Sequence, residues 1–281
     1  MSEKSCREFY AMKTLYVSDL DGTLLRSDVS TSDYTNRTIN RLARQGMLFS
    51  YATARSYSTS AKVTRGLDAH IPLIVYNGAM IVDNVTGEIL LSNFFGGDAH
   101  EVLDGLLAHG VVPIVYAFVD GVERFSYVPA RSSRGVLDFV ASRRGDRRDN
   151  PVASVQDLYR GDIFYFACIG DAEKLEPLER KYRDVYHTVY QKDIYSGEQW
   201  LEIMPAAATK AAAIRQLKAI TGAEKVVAFG DGVNDIPMFM DADEAYAVAN
   251  ADPRLKETAT GIIGANTEDG VAKWLLSHAA K

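Results

Sequence analysis

The residues best suited to chemistry are two aspartates, Asp19 and Asp21, that follow the apolar segment Leu15-Tyr16-Val17. The apolar segment predicts a strand, and the two carboxylates would share one face of it because side chains alternate along an extended chain. Gly22 then allows a tight turn. Since ligands of an open parallel sheet bind beyond the carboxyl ends of its strands, we expect both carboxylates at such a site.

A second acidic strand end follows the apolar segment 225–229 and contains Asp231 and Asp235. Four carboxylates at one edge of a sheet cannot all ionise without a compensating cation. Oxygen ligands with no nearby His or Cys favour a hard divalent cation, and Mg²⁺ is the one commonly paired with phosphate oxygens. Lys210, at the predicted start of a helix, would add a positive charge here, although an exposed helix surface is the ordinary position of a lysine.

These groups are the ones that phosphoryl transfer needs: a nucleophile, positive charge and donors around the equatorial oxygens, and an acid for the leaving group. Asp19 would attack phosphorus to form an aspartyl-phosphate, while Asp21 would protonate the leaving oxygen and then activate water. Thr53 and the amide of Ala54, after another predicted strand, would bind the transferring oxygens together with Lys210. As an alternative, Thr53 would only cap a turn.

The elements that would position these residues form two patterns along the chain. Apolar segments at 15–17, 47–52 and 72–76 alternate with helical patterns, and each segment ends in a polar turn. This alternation, which resumes at Lys210, predicts an α/β fold with a doubly wound, Rossmann-like parallel sheet. Hairpin patterns between the two parts predict an inserted α+β unit. The predicted limits are an N-terminal tail at 1–11, a core at 12–82 and 205–281, and a cap at 83–204.

The composition of the 281-residue chain is that of a globular protein, with 47% hydrophobic residues and a formal net charge of −6. This charge argues against nucleic-acid binding, which needs clustered Lys and Arg. The chain has neither a signal-peptide pattern nor an apolar run near the roughly 20 residues that cross a bilayer, which argues against a membrane partner. Cys6 and Cys168 are too far apart in sequence to indicate a disulfide framework or a zinc site, and this fits a cytoplasmic protein.

The four polar segments, in this order and with a long insertion between the second and the third, resemble the haloacid dehalogenase-like superfamily of aspartate-nucleophile phosphatases. The resemblance covers Met12 to the end of the chain. Its strongest motifs are Asp19-Leu20-Asp21-Gly22-Thr23-Leu24 and Gly230-Asp231-Gly232-Val233-Asn234-Asp235. The insertion is similar to that of the Cof-type branch, in which a large cap sits over the site. Ala54 replaces the usual glycine of that family, so that its methyl group would alter how the backbone approaches the phosphate.

The resemblance also implies a role for each residue of these motifs. Asp19 would be the nucleophile and a Mg²⁺ ligand, and Asp21 would be the acid/base and a ligand through its backbone carbonyl. Asp231 would be the third protein ligand of the metal. Asn234 and Asp235 would support the metal or the phosphate.

We therefore predict Mg²⁺-dependent hydrolysis of a small phosphomonoester, such as a sugar phosphate or a phosphorylated cofactor. A phosphomutase would use the same aspartyl-phosphate and return the phosphoryl group to its substrate, so the release of free phosphate separates the two. A non-catalytic phosphate-ligand sensor is a third alternative, against which the intact pair of Asp19 and Asp21 argues. A dehalogenase would leave Asp21 without a leaving group to protonate. The oligomeric state stays open.

Overall fold

The structure, a computed structural model, describes residues 12–192 and 197–279. The contacts within it divide the chain into two compact units. Unit 1 runs to Leu91 and resumes at Lys210, and unit 2 is the segment Ser92–Thr209 between them. The predicted tail at 1–11, with Cys6, lies outside the described residues.

Strands and helices alternate through both units. In chain order the described strands are β1 (Thr14–Asp19), β2 (Leu48–Ala52), β3 (Pro72–Val75), β4 (Met80–Asp83), β5 (Ile89–Ser92), β6 (Ile114–Val119), β7 (Val122–Tyr127), β8 (Asp149–Pro151), β9 (Asp162–Gly170), β10 (His187–Lys192), β11 (Gln199–Met204), β12 (Lys225–Gly230), β13 (Glu244–Val248) and β14 (Gly261–Ile263). The described α-helices are α1 (Asp33–Arg44), α2 (Tyr57–Val63), α3 (Ala99–Ala108), α4 (Arg134–Ala141), α5 (Ala172–Tyr182), α6 (Lys210–Thr221), α7 (Ile236–Asp241), α8 (Pro253–Lys256) and α9 (Gly270–His278).

The sheet of unit 1 places the predicted site at the carboxyl ends of its central strands. Its strand order is β14-β13-β12-β1-β2-β3-β4-β5, and the strands from β14 to β3 pair in parallel. β1 lies between β12 and β2, with Ser18 opposite Phe229 and Asp19 opposite Ala52. The predicted α/β fold with a parallel sheet is confirmed.

The limits predicted for the cap, 83 and 204, differ from the observed division at Ser92 and Thr209. At the first limit, β4 pairs antiparallel with β3, and β5 continues the sheet of unit 1. A hairpin pattern predicts antiparallel pairing but does not tell which sheet the hairpin extends. At the second limit, His187 Nδ1 lies 2.5 Å from the carbonyl oxygen of Ala208, which keeps the segment after β11 with unit 2.

Unit 2 has the predicted α+β organisation. Its described sheet has the order β10-β11-β9-β6-β7-β8, with antiparallel pairing except between β7 and β8. Leu103 from α3 and Leu175 from α5 join Phe166 and Leu201 of the sheet in one buried apolar cluster. In neither unit does a described helix have the length and apolarity needed to cross a membrane.

Candidate active site

The carboxyl end of β1 leads Asp19 into a tight turn at residues 20–24. The turn is closed by a hydrogen bond of 2.8 Å from the amide of Leu25 to the carbonyl of Leu20. Gly22 has φ +82°, in the left-handed region that glycine adopts without strain. A Cβ on Gly22 would lie 2.2 Å from Oδ2 of Asp231. Glycine is therefore required both by the turn and by the close approach of the second acidic loop.

The second acidic loop follows β12 and is held in place by its own hydrogen bonds. The hydroxyl of Thr23 donates to Oδ1 of Asp231 over 3.0 Å, which joins this loop to the turn after β1. The amides of Asp231 and Gly232 each donate to Oδ2 of Asp235 over 3.1 Å. A side chain at Gly230 would meet that oxygen at 2.7 Å. The two glycines and Thr23 thus fix where both carboxylates lie.

Three aspartates, Asp19, Asp231 and Asp235, form an acidic cluster, and the side chain of Lys210 contacts it. Each aspartate offers an oxygen, and these oxygens lie within 4.8 Å of one another. The Lys210 ammonium donates to Oδ1 of Asp19 over 2.5 Å and to Oδ1 of Asp235 over 2.8 Å. Lys210, Asp19 and Asp235 are all buried. Lys210 is therefore an internal counter-ion of the cluster and does not occupy the exposed position that is ordinary for a lysine.

The electrostatics of the cluster follow from burial and from the mutual proximity of its charges. Burial lowers the pKa of the Lys210 ammonium, but the carboxylates of Asp19 and Asp235 raise it more, so the net pKa lies above its usual value. Burial raises the pKa of Asp19 well above its usual value, and the Lys210 ammonium opposes this effect. Burial and the charge of Asp235 raise the pKa of Asp231 to about 6. Three carboxyl groups thus surround a single ammonium, so that a further cation would favour their ionised forms.

The donor set of the cluster fits a hard divalent cation. The described cluster offers carboxylate oxygens only, and such oxygens are the ligands that Mg²⁺ prefers. Both oxygens of Asp235 already accept hydrogen bonds from the protein. Asp19 and Asp231, two of the predicted ligands, are therefore the carboxylates best placed to bind a metal.

The position of the Asp21 side chain differs from the prediction that four carboxylates converge. β1 ends at Asp19, so the strand alternation that would place both side chains on one face stops before Asp21. Among the described residues, the acidic cluster does not include Asp21. Its carboxylate instead accepts two hydrogen bonds from Arg55, from Nε over 2.8 Å and from Nη2 over 2.6 Å. The predicted metal contact through the Asp21 carbonyl stays a prediction.

The loop after β2 contains the predicted phosphate-binding residues. Thr53 is buried, and its hydroxyl accepts a hydrogen bond of 3.1 Å from the amide of Arg55, which is the turn-capping alternative. Its carbonyl accepts a bond of 2.9 Å from the amide of Asn77. Ala54 is exposed in this loop, and Asn234 is exposed within the second acidic loop. Phosphate binding by Thr53, Ala54 and Asn234 stays a prediction.

Several residues that hold the site together were missed by the sequence analysis. The side-chain amide of Asn250 donates to the carbonyl of Gly22, and that of Asn266 donates to the carbonyl of Leu25, both over 2.8 Å. The backbone amide of Asn266 also donates to Oδ1 of Asn250 over 3.0 Å. These bonds fix the turn after β1 from the C-terminal part of the chain. Arg55 carried a signal, because it is a lone cation two residues after Thr53, whereas the two asparagines carried none.

Comparison with known proteins identifies the family of the chain. A family model described as haloacid dehalogenase-like hydrolase matches residues 16–275. A 5-amino-6-(5-phospho-D-ribitylamino)uracil phosphatase of Bacillus subtilis strain 168 is 28% identical, with 92% of this chain and 95% of that protein covered. A second Bacillus subtilis phosphatase of the same description is 25% identical, with 94% of this chain and 97% of that protein covered.

The fold is shared with solved structures as well. A crystal structure from Thermotoga maritima has a TM-score of 0.75 at 24% identity and covers 95% of this chain and 97% of its own. The resemblance predicted from the two aspartate motifs is confirmed by the family match. The predicted enzyme class, a phosphatase hydrolase, is also supported, because the relatives are named phosphatases.

Proposed function

We propose a function for this chain, which belongs to the haloacid dehalogenase-like hydrolase family and to its Cof-type branch. The proposed function is Mg²⁺-dependent hydrolysis of small phosphomonoesters through an aspartyl-phosphate. The observation that carries the proposal is the buried carboxylate of Asp19, bonded to Lys210 at the carboxyl end of the central strand. The proposed substrates are sugar phosphates or phosphorylated cofactors. The two Bacillus subtilis relatives support this class, since their names describe a phosphorylated ribityl compound.

The proposed reaction has two half-reactions. In the first, a carboxylate oxygen of Asp19 forms a bond to phosphorus, the ester P–O bond breaks, and Asp21 gives its proton to the leaving oxygen. In the second, Asp21 takes a proton from water as the water attacks phosphorus, and the bond to Asp19 breaks. Thr53, the amide of Ala54 and Lys210 hold the equatorial oxygens, and Asn234 supports them. A divalent cation held by Asp19 and Asp231 would supply the positive charge that the phosphate dianion requires.

Two other functions share parts of this chemistry. A phosphomutase would form the same aspartyl-phosphate and pass the phosphoryl group back to its substrate, so that no free phosphate would accumulate. A phosphate-ligand sensor would bind the ester without turnover. The pairing of a buried Asp19 with a lysine counter-ion favours turnover over sensing, because a sensor has no need for a nucleophile.

A cytoplasmic location is part of the proposal. Cys168 is a buried free thiol among the described residues. Burial raises the pKa of this thiol, which keeps it protonated and unreactive. A structural thiol of this kind fits a reducing compartment.

Asp19→Asn tests the nucleophile. The amide is nearly isosteric with the carboxylate but does not attack phosphorus, so we expect phosphate release to fall by about 1,000-fold or more without loss of folding. Steady-state phosphate release and thermal melting are measured together. The control is Asp68→Asn, which changes an exposed aspartate of unit 1 and should leave activity unchanged. Near-wild-type activity of Asp19→Asn would contradict the assignment.

Removal of divalent cations tests the metal. We expect exhaustive chelation with EDTA to abolish phosphate release and Mg²⁺ to restore it, because the excess of carboxylates would otherwise repel a phosphate dianion. Calorimetric titration of the metal-free protein with Mg²⁺ should show binding that Asp231→Asn weakens at least tenfold. Full activity in a sample shown by elemental analysis to be free of metal would contradict this part of the proposal.

A further inference from the structure

Resting on the proposed function, we propose that Arg55 is a positioning residue that orients the Asp21 carboxylate for proton transfer to the leaving group and from water. The guanidinium holds both oxygens of Asp21, with Nε 2.8 Å from Oδ2 and Nη2 2.6 Å from Oδ1. A planar fork of two parallel hydrogen bonds fixes the plane of a carboxylate, which a single donor cannot do. The contact therefore defines where the proton-carrying oxygens of Asp21 lie.

Asp21 needs such a partner because its surroundings do not hold it. It lies in the turn after β1, its side chain is 51% exposed, and it is outside the acidic cluster of the described residues. An exposed side chain on a turn samples several rotamers, and the fork of hydrogen bonds from Arg55 selects one of them. Fixing that rotamer before the substrate binds removes an entropic barrier from the proton transfer.

The backbone of Arg55 is itself held firmly. Its amide donates to the hydroxyl of Thr53 over 3.1 Å, and its carbonyl accepts a hydrogen bond of 2.9 Å from the amide of Tyr76. Tyr76 and Asn77 have φ of +50° and +54°, a conformation that residues other than glycine rarely adopt. Asn77 bonds in turn to the carbonyl of Thr53. Arg55 thus links the proposed phosphate-binding loop to the proposed acid/base through fixed geometry.

The charge of Arg55 complements that of the Asp21 carboxylate, because the guanidinium donates one hydrogen bond to each carboxylate oxygen. The ion pair is partly exposed and screened by solvent, so its effect should appear in catalysis and not in folding stability.

Two aryl phosphates separate this role from the others. Phenyl phosphate has a poor leaving group that needs protonation, whereas p-nitrophenyl phosphate has a good one that does not. We expect Arg55→Ala to lower kcat/KM at least tenfold for phenyl phosphate and less than about threefold for p-nitrophenyl phosphate. Arg55→Lys, which keeps the charge but not the fork, should recover part of the loss.

The double variant Arg55→Ala/Asp21→Asn carries the sharpest test. Once Asp21 cannot transfer a proton, removal of Arg55 should produce no further dependence on the leaving group, because coupled residues are not additive. Arg44→Ala is the matched control: Arg44 also pairs with an aspartate of unit 1, Asp68, over 2.8 Å, but away from the site. It should change neither kinetics nor melting.

Three results would overturn the proposal. One is an equal loss on both substrates that persists in the Asp21→Asn background, since Arg55 would then bind the phosphate directly. Another is unchanged kinetics of Arg55→Ala, and the third is a loss that only follows a lowered melting temperature in both Arg55 variants. Wild-type protein and Asp19→Asn are assayed alongside. If wild-type protein releases no phosphate, or Asp19→Asn keeps its activity, the proposed function itself has failed.

Discussion

Two buried acids, Asp19 in unit 1 and Glu202 in unit 2, have different surroundings. In unit 1, Asp19 and Asp235 are 6% and 1% exposed and share the ammonium of Lys210, which is itself 6% exposed. In unit 2, Glu202 is 9% exposed, and no ion pair reaches it from residues 12–192 or 197–279. Its hydrogen-bond partner is the phenol of Tyr165.

The difference shows two ways in which the free-energy cost of burying an acidic side chain is met. Burial raises the pKa of Glu202 to about 7, so this residue can remain protonated and neutral inside unit 2. Burial also raises the pKa of Asp19, but there a lysine in direct contact favours the carboxylate. A nucleophile must be ionised, whereas a core residue need not be. Lys210, in direct contact with Asp19, is therefore a counter-charge of a kind that Glu202 lacks among the described residues.

Lys210→Met should have the largest effect on activity and stability. It would leave Asp19 and Asp235 buried without their counter-ion, so we expect phosphate release to fall by about 1,000-fold and the free energy of unfolding to fall by about 3–5 kcal/mol. Phosphate release and urea denaturation measure the two effects. Lys218→Met, in the same helix and in a longer pair of 3.4 Å, is the control and should stay within about 0.5 kcal/mol of wild type. A stable and active Lys210→Met would show that the lysine is not needed as counter-ion.

The sequence predicted the parts of unit 1 that depend on local patterns. Alternating strands and helices predicted that Asp19 and Asp231 lie at one edge of a parallel sheet, and the glycine-containing motifs marked both turns. Burial of Lys210 was not predictable from its neighbours. Its partners are 191 and 25 residues away in the chain, and only the folded sheet brings them together.

Two other features depend on where regular structure stops. The pairing of Asp21 with Arg55 was missed because strand alternation was extended through a turn that begins at Leu20. The predicted cap limit at 83 differs from the division at Ser92 because the hairpin of β4 and β5 has the same sequence pattern whichever sheet it extends. Both differences concern the ends of elements, where tertiary contacts decide the outcome and local propensity does not.

Removal of unit 2 tests whether unit 1 folds and cleaves phosphate esters by itself. Replacing residues 92–209 with a short Gly/Ser linker should leave a soluble unit 1, because the proposed catalytic residues lie within it and bond to other residues of unit 1. The family resemblance implies that the cap supplies substrate contacts and excludes water. We therefore expect kcat/KM for sugar phosphates to fall by about 100-fold or more, while slow cleavage of p-nitrophenyl phosphate persists.

The test of this prediction is the ranking of substrates by kcat/KM for the whole protein and for the protein without unit 2. The same panel of sugar phosphates, nucleotides, pyridoxal phosphate and flavin mononucleotide is assayed with both proteins. If the capless protein kept the ranking and efficiency of the parent, specificity would lie in unit 1. An unfolded product would count against a division at Ser92 and Thr209.

Glu202→Gln tests the unit 2 side of the comparison and should have the smallest effect. With a pKa of about 7 in the folded state and an ordinary value of 4.5, Glu202 binds a proton more tightly when folded. The free energy of unfolding of wild-type protein should therefore fall as pH rises through that window, by an amount on the order of 3 kcal/mol. Gln binds no proton, so the variant should lack this contribution. Urea denaturation between pH 5 and 8, followed by tryptophan fluorescence, measures it.

The difference between the two proteins isolates Glu202, because every other titrating group is common to both. The variant should match wild type at low pH, or lie slightly below it because of its buried amide, and become relatively more stable as pH rises. Glu173→Gln, an exposed glutamate of unit 2, is the control and should follow the wild-type curve at every pH. Parallel curves for wild type and Glu202→Gln would mean that Glu202 is ionised in the folded protein. Unit 2 would then need a counter-charge for this glutamate, and the contrast with Asp19 and Lys210 would disappear.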